Sequence, residues 1–244
     1  MRDGKGLFVA VEGMDGSGKS TITTMLVAEL EQLGEDCVKT YEVGGTPVGK
    51  ELRKICFSKR DDEVIDEKAR LLMVLAARIQ HITNVVNPAL EADKIVVTDR
   101  YAASTLVYQG FIDGLQQQLA IIQDDCKQQI DLEEESDDEQ RPQVRHINYD
   151  RFGLDVNPDV LVHIDVDYMT AYERGAARKN VDNDQYKTDT NRAYVVSFSY
   201  KAAIEHEARR TGAKVFTIDG NQPIDNVAEQ IKVIASELKK MRSK

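Results

Sequence analysis

The sequence predicts an α/β fold in which five parallel strands form a sheet covered by helices on both faces, a three-layer αβα sandwich. Short apolar, β-branched runs alternate with longer segments of helical periodicity, which is typical of parallel βαβ units. The runs are apolar without interruption, as expected of strands buried on both faces. The 244 residues contain no internal repeat and no long linker, so we expect a single domain over 1–244.

The predicted strands are short and are separated by turn residues or helical segments. They lie at 7–11, 37–41, 95–98, 160–164 and 215–218. Helical periodicity predicts the intervening helices at 19–33, 48–57, 63–90, 114–130, after the fourth strand to about 178, at 191–211 and at 224–241. Gly34 is a typical stop for the first helix, and Pro88 is expected to bend or end the third.

Composition excludes several classes of protein. Lys and Arg total 32 against 42 Asp and Glu, a net charge of −10, which disfavours a nucleic acid partner. No apolar run approaches the length of a membrane span, and the first residues lack a signal-peptide pattern, so we expect no membrane partner. The 3 cysteines fit neither a disulfide framework nor a zinc site, which favours a reducing, cytoplasmic compartment.

Two polar segments interrupt the alternation of strands and helices. The segment 131–157 is acidic, with 7 acidic residues between 131 and 140, and we expect a solvated surface insertion there. A partner-binding or regulatory role is the alternative. The segment 179–190 lies between two helices and suits a mobile lid.

The strongest motif is the segment 13–20, GMDGSGKS, which matches G-x-x-x-x-G-K-[ST] between a predicted strand and a predicted helix. Glycines allow backbone N–H groups to surround phosphate oxygens, and the helix N-terminus adds a positive dipole end. Lys19 would reach the β- and γ-phosphates, and the Ser20 hydroxyl would bind Mg²⁺. The motif predicts a P-loop NTPase fold and leaves the type of P-loop protein open.

A second motif, Asp99-Arg100-Tyr101, directly follows the third predicted strand. Ligands bind at the carboxyl ends of strands in open α/β sheets. Asp99 is therefore placed to act on the metal, and the planar donors of Arg100 match phosphate oxygens. A surface ion pair between neighbours is the alternative.

Cations around the predicted lid form a third signal, because phosphoryl transfer concentrates negative charge between donor and acceptor. They are Arg174, Arg178, Lys179, Lys187 and Arg192. A solvated helix face is the alternative, and it is strongest for Lys179 and Lys187. Arg174 and Arg178 are four residues apart and share a helix face.

Together these motifs resemble the thymidylate kinase family nearly from end to end. The resemblance is carried, in order, by the P-loop at 13–21 and by the segments EVGGTP (42–47), AAR (76–78), DRY (99–101) with Ser104, YQG (108–110), PDV (158–160), IDV (164–166) and IDGNQP (218–223). It implies ATP as phosphoryl donor, dTMP as acceptor, Mg²⁺ as cofactor and a homodimer.

The resemblance also implies roles for individual residues. ATP would be bound by Gly13, Met14, Asp15, Gly16, Ser17, Gly18, Lys19, Ser20 and Thr21. The acceptor would be bound by Asp15, Glu42, Arg53, Val74, Arg78, Arg100, Ser104, Thr105, Tyr108 and Gln109. Within that set Asp15 would face the sugar 3′-OH and the acceptor phosphate. Arg53 and Arg100 would hold the monophosphate, Arg78 would donate to a base carbonyl, and Tyr108 would pack at the 2′ position.

Several positions depart from the family pattern. Tyr41 stands where the family usually has Arg, and Val43 where it has Pro. Val74 replaces the aromatic residue that stacks on thymine, and Asn183 falls near an expected lid arginine. Ser17 shows that the P-loop lacks the extra arginine of some members. This resembles the bacterial-type arrangement, in which the lid supplies the catalytic cations.

The predicted function is transfer of the γ-phosphoryl group of ATP to dTMP, with Lys19, Asp99, Arg100, Arg174 and Arg178 as catalytic residues. A kinase for dUMP or a modified pyrimidine deoxynucleotide is the nearest alternative, because of Val74. A deoxynucleoside kinase would need Glu42 as its base, and a non-catalytic ATP-binding regulator comes from a different class. His163, Tyr194 and Tyr200 are predicted to be core residues.

Overall fold

Five parallel strands form one sheet in the computed structural model, which describes residues 6–58, 63–114, 156–177 and 190–243. The strands are β1 (Leu7–Glu12), β2 (Cys37–Tyr41), β3 (Ile95–Asp99), β4 (Val160–Asp165) and β5 (Lys214–Asp219). Their order across the sheet is β2-β3-β1-β4-β5, and each neighbouring pair is parallel. The predicted fold class is confirmed.

Helices cover both faces of the sheet. They are α1 (Lys19–Gln32), α2 (Pro47–Phe57), α3 (Glu67–His81), α4 (Asn87–Glu91), α5 (Ala102–Thr105), α6 (Tyr168–Ala176), α7 (Thr190–Thr211) and α8 (Ile224–Arg242), with π-helical segments at Ile82–Val86 and Leu106–Ile112. Alternate side chains of β1 enter the two cores: Val9 packs with α1 and α8, and Phe8 packs with α7. No helix within the described ranges has both the length and the apolar character that a membrane span requires.

The helix predicted over 63–90 begins later than expected and changes type along its length. It begins only at Glu67, because the Asp66 carboxylate caps it by accepting from the backbone N–H of Lys68 at 2.9 Å. A π-helical segment at Ile82–Val86 follows, and the chain then continues helically to Glu91. Pro88 therefore does not end the helix: the π-helical segment lies directly before Asn87–Glu91, and the chain stays helical past Pro88.

Some predictions lie outside the described residues. They concern nearly all of the 114–130 helix, most of the acidic insertion at 131–157, the lid at 179–190 except for its last residue, and the side chains of Arg178, Lys179, Asn183 and Lys187.

Candidate active site

The loop between β1 and α1 is built on glycines. Gly16 and Gly18 have φ angles of 83° and 91°, in the left-handed region that favours glycine. A Cβ atom at Gly16 would lie 1.9 Å from the carbonyl oxygen of Ala171, so α6 packs directly against the loop backbone. The loop opens into a cleft of about 1110 Å³, here called the phosphate cleft. Its walls also include residues at the ends of β2 and β3.

Lys19 is buried beneath this loop. Its ammonium group donates to the carbonyl oxygen of Met14 at 2.7 Å. Burial, together with the charge of Arg100, lowers the pKa of Lys19 to about 8, against the opposing effect of Asp15. An anionic ligand in the cleft would therefore stabilise the charged form of this side chain.

Two oxygen donors face the same cleft. The Ser20 hydroxyl donates to Oδ2 of Asp99 at 2.6 Å, and both residues line the cleft. Hydroxyl and carboxylate oxygens are suitable ligands for Mg²⁺, which keeps several waters and is otherwise bound by substrate phosphates. Within the described ranges no group of three or more His, Cys, Asp or Glu forms another candidate metal site. The donor set therefore fits Mg²⁺.

Arg100 has φ 75°, and its guanidinium joins three elements. Nη1 donates to the Tyr200 hydroxyl at 2.6 Å and to the Ser104 hydroxyl at 3.0 Å, and Nη2 donates to Oδ1 of Asp15 at 2.6 Å. Burial would raise the pKa of Asp15, but the charges of Arg100 and Lys19 outweigh burial and hold it well below its usual range. The P-loop carboxylate is thus fixed in its ionised form.

Glu12, at the end of β1, is completely buried behind this group. It accepts from the Tyr101 backbone N–H at 2.8 Å and from the Ser104 hydroxyl at 2.6 Å. Desolvation raises its pKa, although these hydrogen bonds and the charge of Arg100 oppose the shift. Glu12 therefore fixes the start of α5, and with it Ser104, relative to the P-loop strand. Glu12 was not predicted as a site residue, because in the sequence it is only the polar residue that follows the apolar run 7–11.

A second buried carboxylate, Glu42, organises the other side of the site. Oε2 accepts from Nε of Arg78 at 2.7 Å, and Oε1 lies 2.8 Å from Nδ1 of His81. Burial would raise the pKa of Glu42, but the charge of Arg78 outweighs it and lowers the pKa. Arg78 also donates to the Thr105 hydroxyl at 2.7 Å. The predicted base-contacting arginine is therefore held from both sides.

These groups surround a second cleft, of about 560 Å³, next to the phosphate cleft. It is lined by Asp15, Glu42, Val43, Arg53, Phe57, Val74, Arg78, Arg100, Tyr101, Ser104, Thr105, Tyr108 and Gln109. All ten predicted acceptor-binding residues lie on this wall. Phe57 and Tyr101 lie there too and were not predicted as site residues. The only signal for Phe57 was an apolar side chain one helical turn after Arg53.

The hydroxyls of this pocket are already engaged. Tyr108 donates to Oδ2 of Asp15 at 3.0 Å, and its ring lies 5.3 Å from the Arg100 guanidinium. The Ser104 hydroxyl is hydrogen-bonded to Glu12 and to the Tyr200 hydroxyl. These polar contacts are with the protein itself, although Ser104 was predicted to line the base edge.

The described lid cations lie apart from the two clefts. Arg174 donates to the carbonyl oxygen of Gly220 at 2.9 Å, beyond the end of β5. Arg192 lies close enough to the carboxylate of Asp113 to lower its pKa, together with Arg70, although burial raises that pKa overall. Neither arginine lines the described wall of the phosphate cleft.

Two of the predicted core residues behave differently from expectation. The prediction for Tyr194 is wrong: its side chain lies on the outer face of α7 and is 58% exposed, in edge contact with Tyr168. Tyr200 is buried as predicted, but its hydroxyl belongs to the Arg100 network. His163 is buried, as predicted, with its ring stacked 6.5 Å from that of Tyr200.

Comparison with known proteins decides the family. A family model described as thymidylate kinase matches residues 11–126. A curated thymidylate kinase of Bacillus cytotoxicus is 32% identical over 240 residues, covering 96% of this chain and 99% of the relative. The chain belongs to the thymidylate kinase family. A second relative, from Leuconostoc mesenteroides, is 30% identical over 96% of this chain and 97% of its own length.

Other thymidylate kinases match more closely over a shorter region. The relative from Halothermothrix orenii is 44% identical over 111 residues, so the matched part of the chain spans about half, 53%, of that relative's length. The crystal structure of a thymidylate kinase from Ehrlichia chaffeensis superposes with a TM-score of 0.60 at 23% identity, covering 96% of this chain and 98% of that one, which supports the fold.

Three of the departures from the thymidylate kinase pattern lie on the walls of the two clefts. Tyr41 lines the phosphate cleft at the end of β2. Val43 and Val74 line the second cleft, where they belong to one small apolar cluster with Ala77.

Proposed function

We propose that this protein transfers the γ-phosphoryl group of ATP to dTMP, producing dTDP and ADP. The observation that carries the proposal is the shared wall of the two clefts. Asp15, Glu42, Arg53 and Arg100 line both, so a phosphate held over the P-loop and a nucleotide held in the second cleft meet at the same charged groups. Family membership supports thymidylate as the acceptor.

On the donor side, the P-loop residues 13–21 bind the triphosphate, and Lys19 and Arg100 stabilise charge on the transferring group. Ser20 and Asp99 would hold Mg²⁺, which would supply positive charge that stabilises the phosphates of ATP. Arg174 and Arg178 join from the lid when it closes and excludes water. Asp15 orients Arg100, and catalysis is positioning and charge stabilisation without a covalent intermediate.

On the acceptor side, Arg53 and Arg100 hold the monophosphate, and Arg78 donates to a base carbonyl. Glu42 fixes the Arg78 guanidinium in place. Little side-chain entropy is therefore lost when this donor binds the base. Tyr108, anchored on Asp15 at 3.0 Å, packs where a 2′-hydroxyl would lie and so favours deoxynucleotides. Ser104, Thr105 and Gln109 complete the wall near the base.

The proposed setting is a homodimer in the reducing cytoplasm. It rests on the family and on the cysteine pattern, in which Cys37 and Cys56 are free thiols.

A second candidate is a kinase with altered base preference, and Val74 on the wall of the acceptor cleft favours it. A deoxynucleoside kinase is not favoured, because Glu42 is occupied by Arg78 and His81 and is poorly placed to take a proton from a 5′-hydroxyl. An ATP-binding regulator is disfavoured by the complete P-loop and its partner Asp99.

A coupled ADP-release assay with ATP and Mg²⁺ tests the proposal, with dTMP, dUMP, dCMP, dGMP, UMP and thymidine as acceptors in parallel. We expect the highest kcat/KM for dTMP. A higher kcat/KM for dUMP than for dTMP would favour the second candidate, a kinase with altered base preference. Absence of turnover with every acceptor, while ATP still binds, would reject both kinase functions.

A further inference from the structure

An aromatic ring lies on the acceptor cleft at a place the family motifs do not mark. Phe57 is the last residue of α2, and its half-buried side chain lines the cleft. It packs against the apolar cluster of Val43, Val74 and Ala77. The ring therefore shares one wall of the cleft with the valine that replaces the family's aromatic residue.

The other two aromatic rings of the cleft belong to tyrosines whose hydroxyls are hydrogen-bonded to the protein. The Tyr101 ring lies 4.7 Å from the Arg78 guanidinium, and its hydroxyl donates to the carbonyl oxygen of Val156 at 2.6 Å. The Tyr108 hydroxyl is bound to Asp15. Phe57 differs because its ring carries no polar group.

We propose that Phe57 provides the aromatic surface for the acceptor base, in place of an aromatic residue at position 74. This inference rests on the proposed function, since it specifies how the same site selects a planar pyrimidine. A β-branched Val74 occupies less of the cleft than a phenyl ring, and Phe57 on the neighbouring helix supplies the missing aromatic face. Aromatic–base contact stabilises binding because every base has a π-face.

The position of Arg53 agrees with this assignment. Arg53 is four residues before Phe57 on α2, so the two share a helix face, and its guanidinium lies 5.8 Å from the centre of the Phe57 ring. It also donates to the carbonyl oxygen of Val43 at 2.9 Å and lines both clefts. One face of α2 thus presents a cation toward the phosphates and a ring toward the base.

The test compares a ligand that has a base with one that does not. In Phe57→Leu we expect the KM for dTMP to rise about tenfold, while the KM for ATP stays within twofold. The inhibition constant of 2-deoxyribose 5-phosphate, which lacks the base, should also stay within twofold. A variant that merely disturbed α2 or Arg53 would weaken both acceptor-site ligands. Ile55→Ala, on the exposed side of the same helix, is the matched control and should leave all three constants unchanged.

The double variant Phe57→Leu/Val74→Phe removes the ring from α2 and places one on α3, at the position where the family has an aromatic residue. It should restore the KM for dTMP to within about threefold of that of the unaltered protein. The inference is overturned if Phe57→Leu binds dTMP as well as the unaltered protein, or if it loses dTMP and 2-deoxyribose 5-phosphate equally. Failure of the unaltered protein to phosphorylate dTMP would instead overturn the proposed function, before any variant is compared.

Discussion

The phosphate cleft and the second cleft, which is the proposed acceptor pocket, lie side by side but are built in different ways. The core of the phosphate cleft is a run of consecutive residues whose backbone turns around a ligand, completed by Asp99 at the end of β3. The acceptor pocket collects side chains from α2, α3, α5 and the segment after it. Two buried carboxylates, Glu12 and Glu42, hold those elements in register. A pocket assembled from distant elements therefore depends on groups whose main contacts are with the protein itself.

Lys19→Ala should have the largest effect, because it removes a cation from the transferring phosphoryl group. We expect kcat to fall on the order of 10³-fold, with the acceptor pocket intact. The measurement is steady-state kinetics at saturating ATP and dTMP. Lys39→Ala is the control: Lys39 lines the same cleft from β2 but is exposed, and its ammonium group donates to the Thr24 hydroxyl, so less than tenfold loss is expected. Equal losses in the two variants would contradict a special role for the buried lysine.

Glu42→Gln should separate the two regions. It leaves the buried guanidinium of Arg78 without its carboxylate, which we expect to lower the free energy of unfolding by about 3 kcal/mol. The KM for dTMP should rise about tenfold, and the KM for ATP should change little. Urea denaturation and kinetics with each substrate varied in turn measure both effects. Glu51→Gln breaks only an exposed pair with Lys54 and should change stability by less than about 0.5 kcal/mol. A larger change in the KM for ATP than in that for dTMP would show that the two regions are not independent.

Ser104→Ala tests the deeper carboxylate. The substitution removes the hydroxyl that donates to Oε2 of Glu12 at 2.6 Å, and we expect a loss of about 1–3 kcal/mol in unfolding free energy. Ser199→Ala is a matched control in a buried helical position, because its hydroxyl donates to a carbonyl of its own helix, that of Val195. Thermal or urea unfolding measures both variants. Equal stability of the two would contradict the role of Glu12 in stabilising the pocket.

The smallest predicted effect is the uptake of part of a proton by Lys19 when ATP binds. Lys19 has a pKa of about 8 in the free protein, below its ordinary value of 10.5, so its population becomes neutral as the pH rises above 8. Phosphates favour the ammonium form and raise this pKa, so ATP binding at pH 8–9 should take up part of a proton, and ATP affinity should fall as the pH rises further. Calorimetry in two buffers of different ionisation enthalpy measures the uptake. Lys19→Ala should abolish it, and uptake that persisted in that variant would belong to another group.

The same contrast explains what the sequence predicts well. The P-loop is contiguous, and each of its residue types has a local physical reason, so its position between β1 and α1 follows from the sequence alone. The apolar runs likewise predict all five strands and their burial on both faces, and in the structure Phe8 and Val9 enter opposite cores. The acceptor residues come from the family resemblance rather than from local pattern.

What the sequence does not predict depends on tertiary contacts. Glu12 follows the apolar run 7–11 directly, and only the approach of Tyr101 and Ser104 explains its burial. Tyr200 has the helical spacing of a core residue, and its hydroxyl reaches Arg100 only because α7 packs beside α5. The π-helical segment at Ile82–Val86 leaves no signal in the apolar periodicity.

One measurement tests the central claim most directly, namely that the shared wall of the two clefts passes a phosphoryl group to a nucleotide monophosphate. ATP labelled in its γ-phosphate is incubated with the protein, Mg²⁺ and equal concentrations of dTMP and thymidine, and the labelled products are separated. The account predicts that the label appears in dTDP. Label in dTMP, which would come from thymidine, or label released only as inorganic phosphate would contradict it.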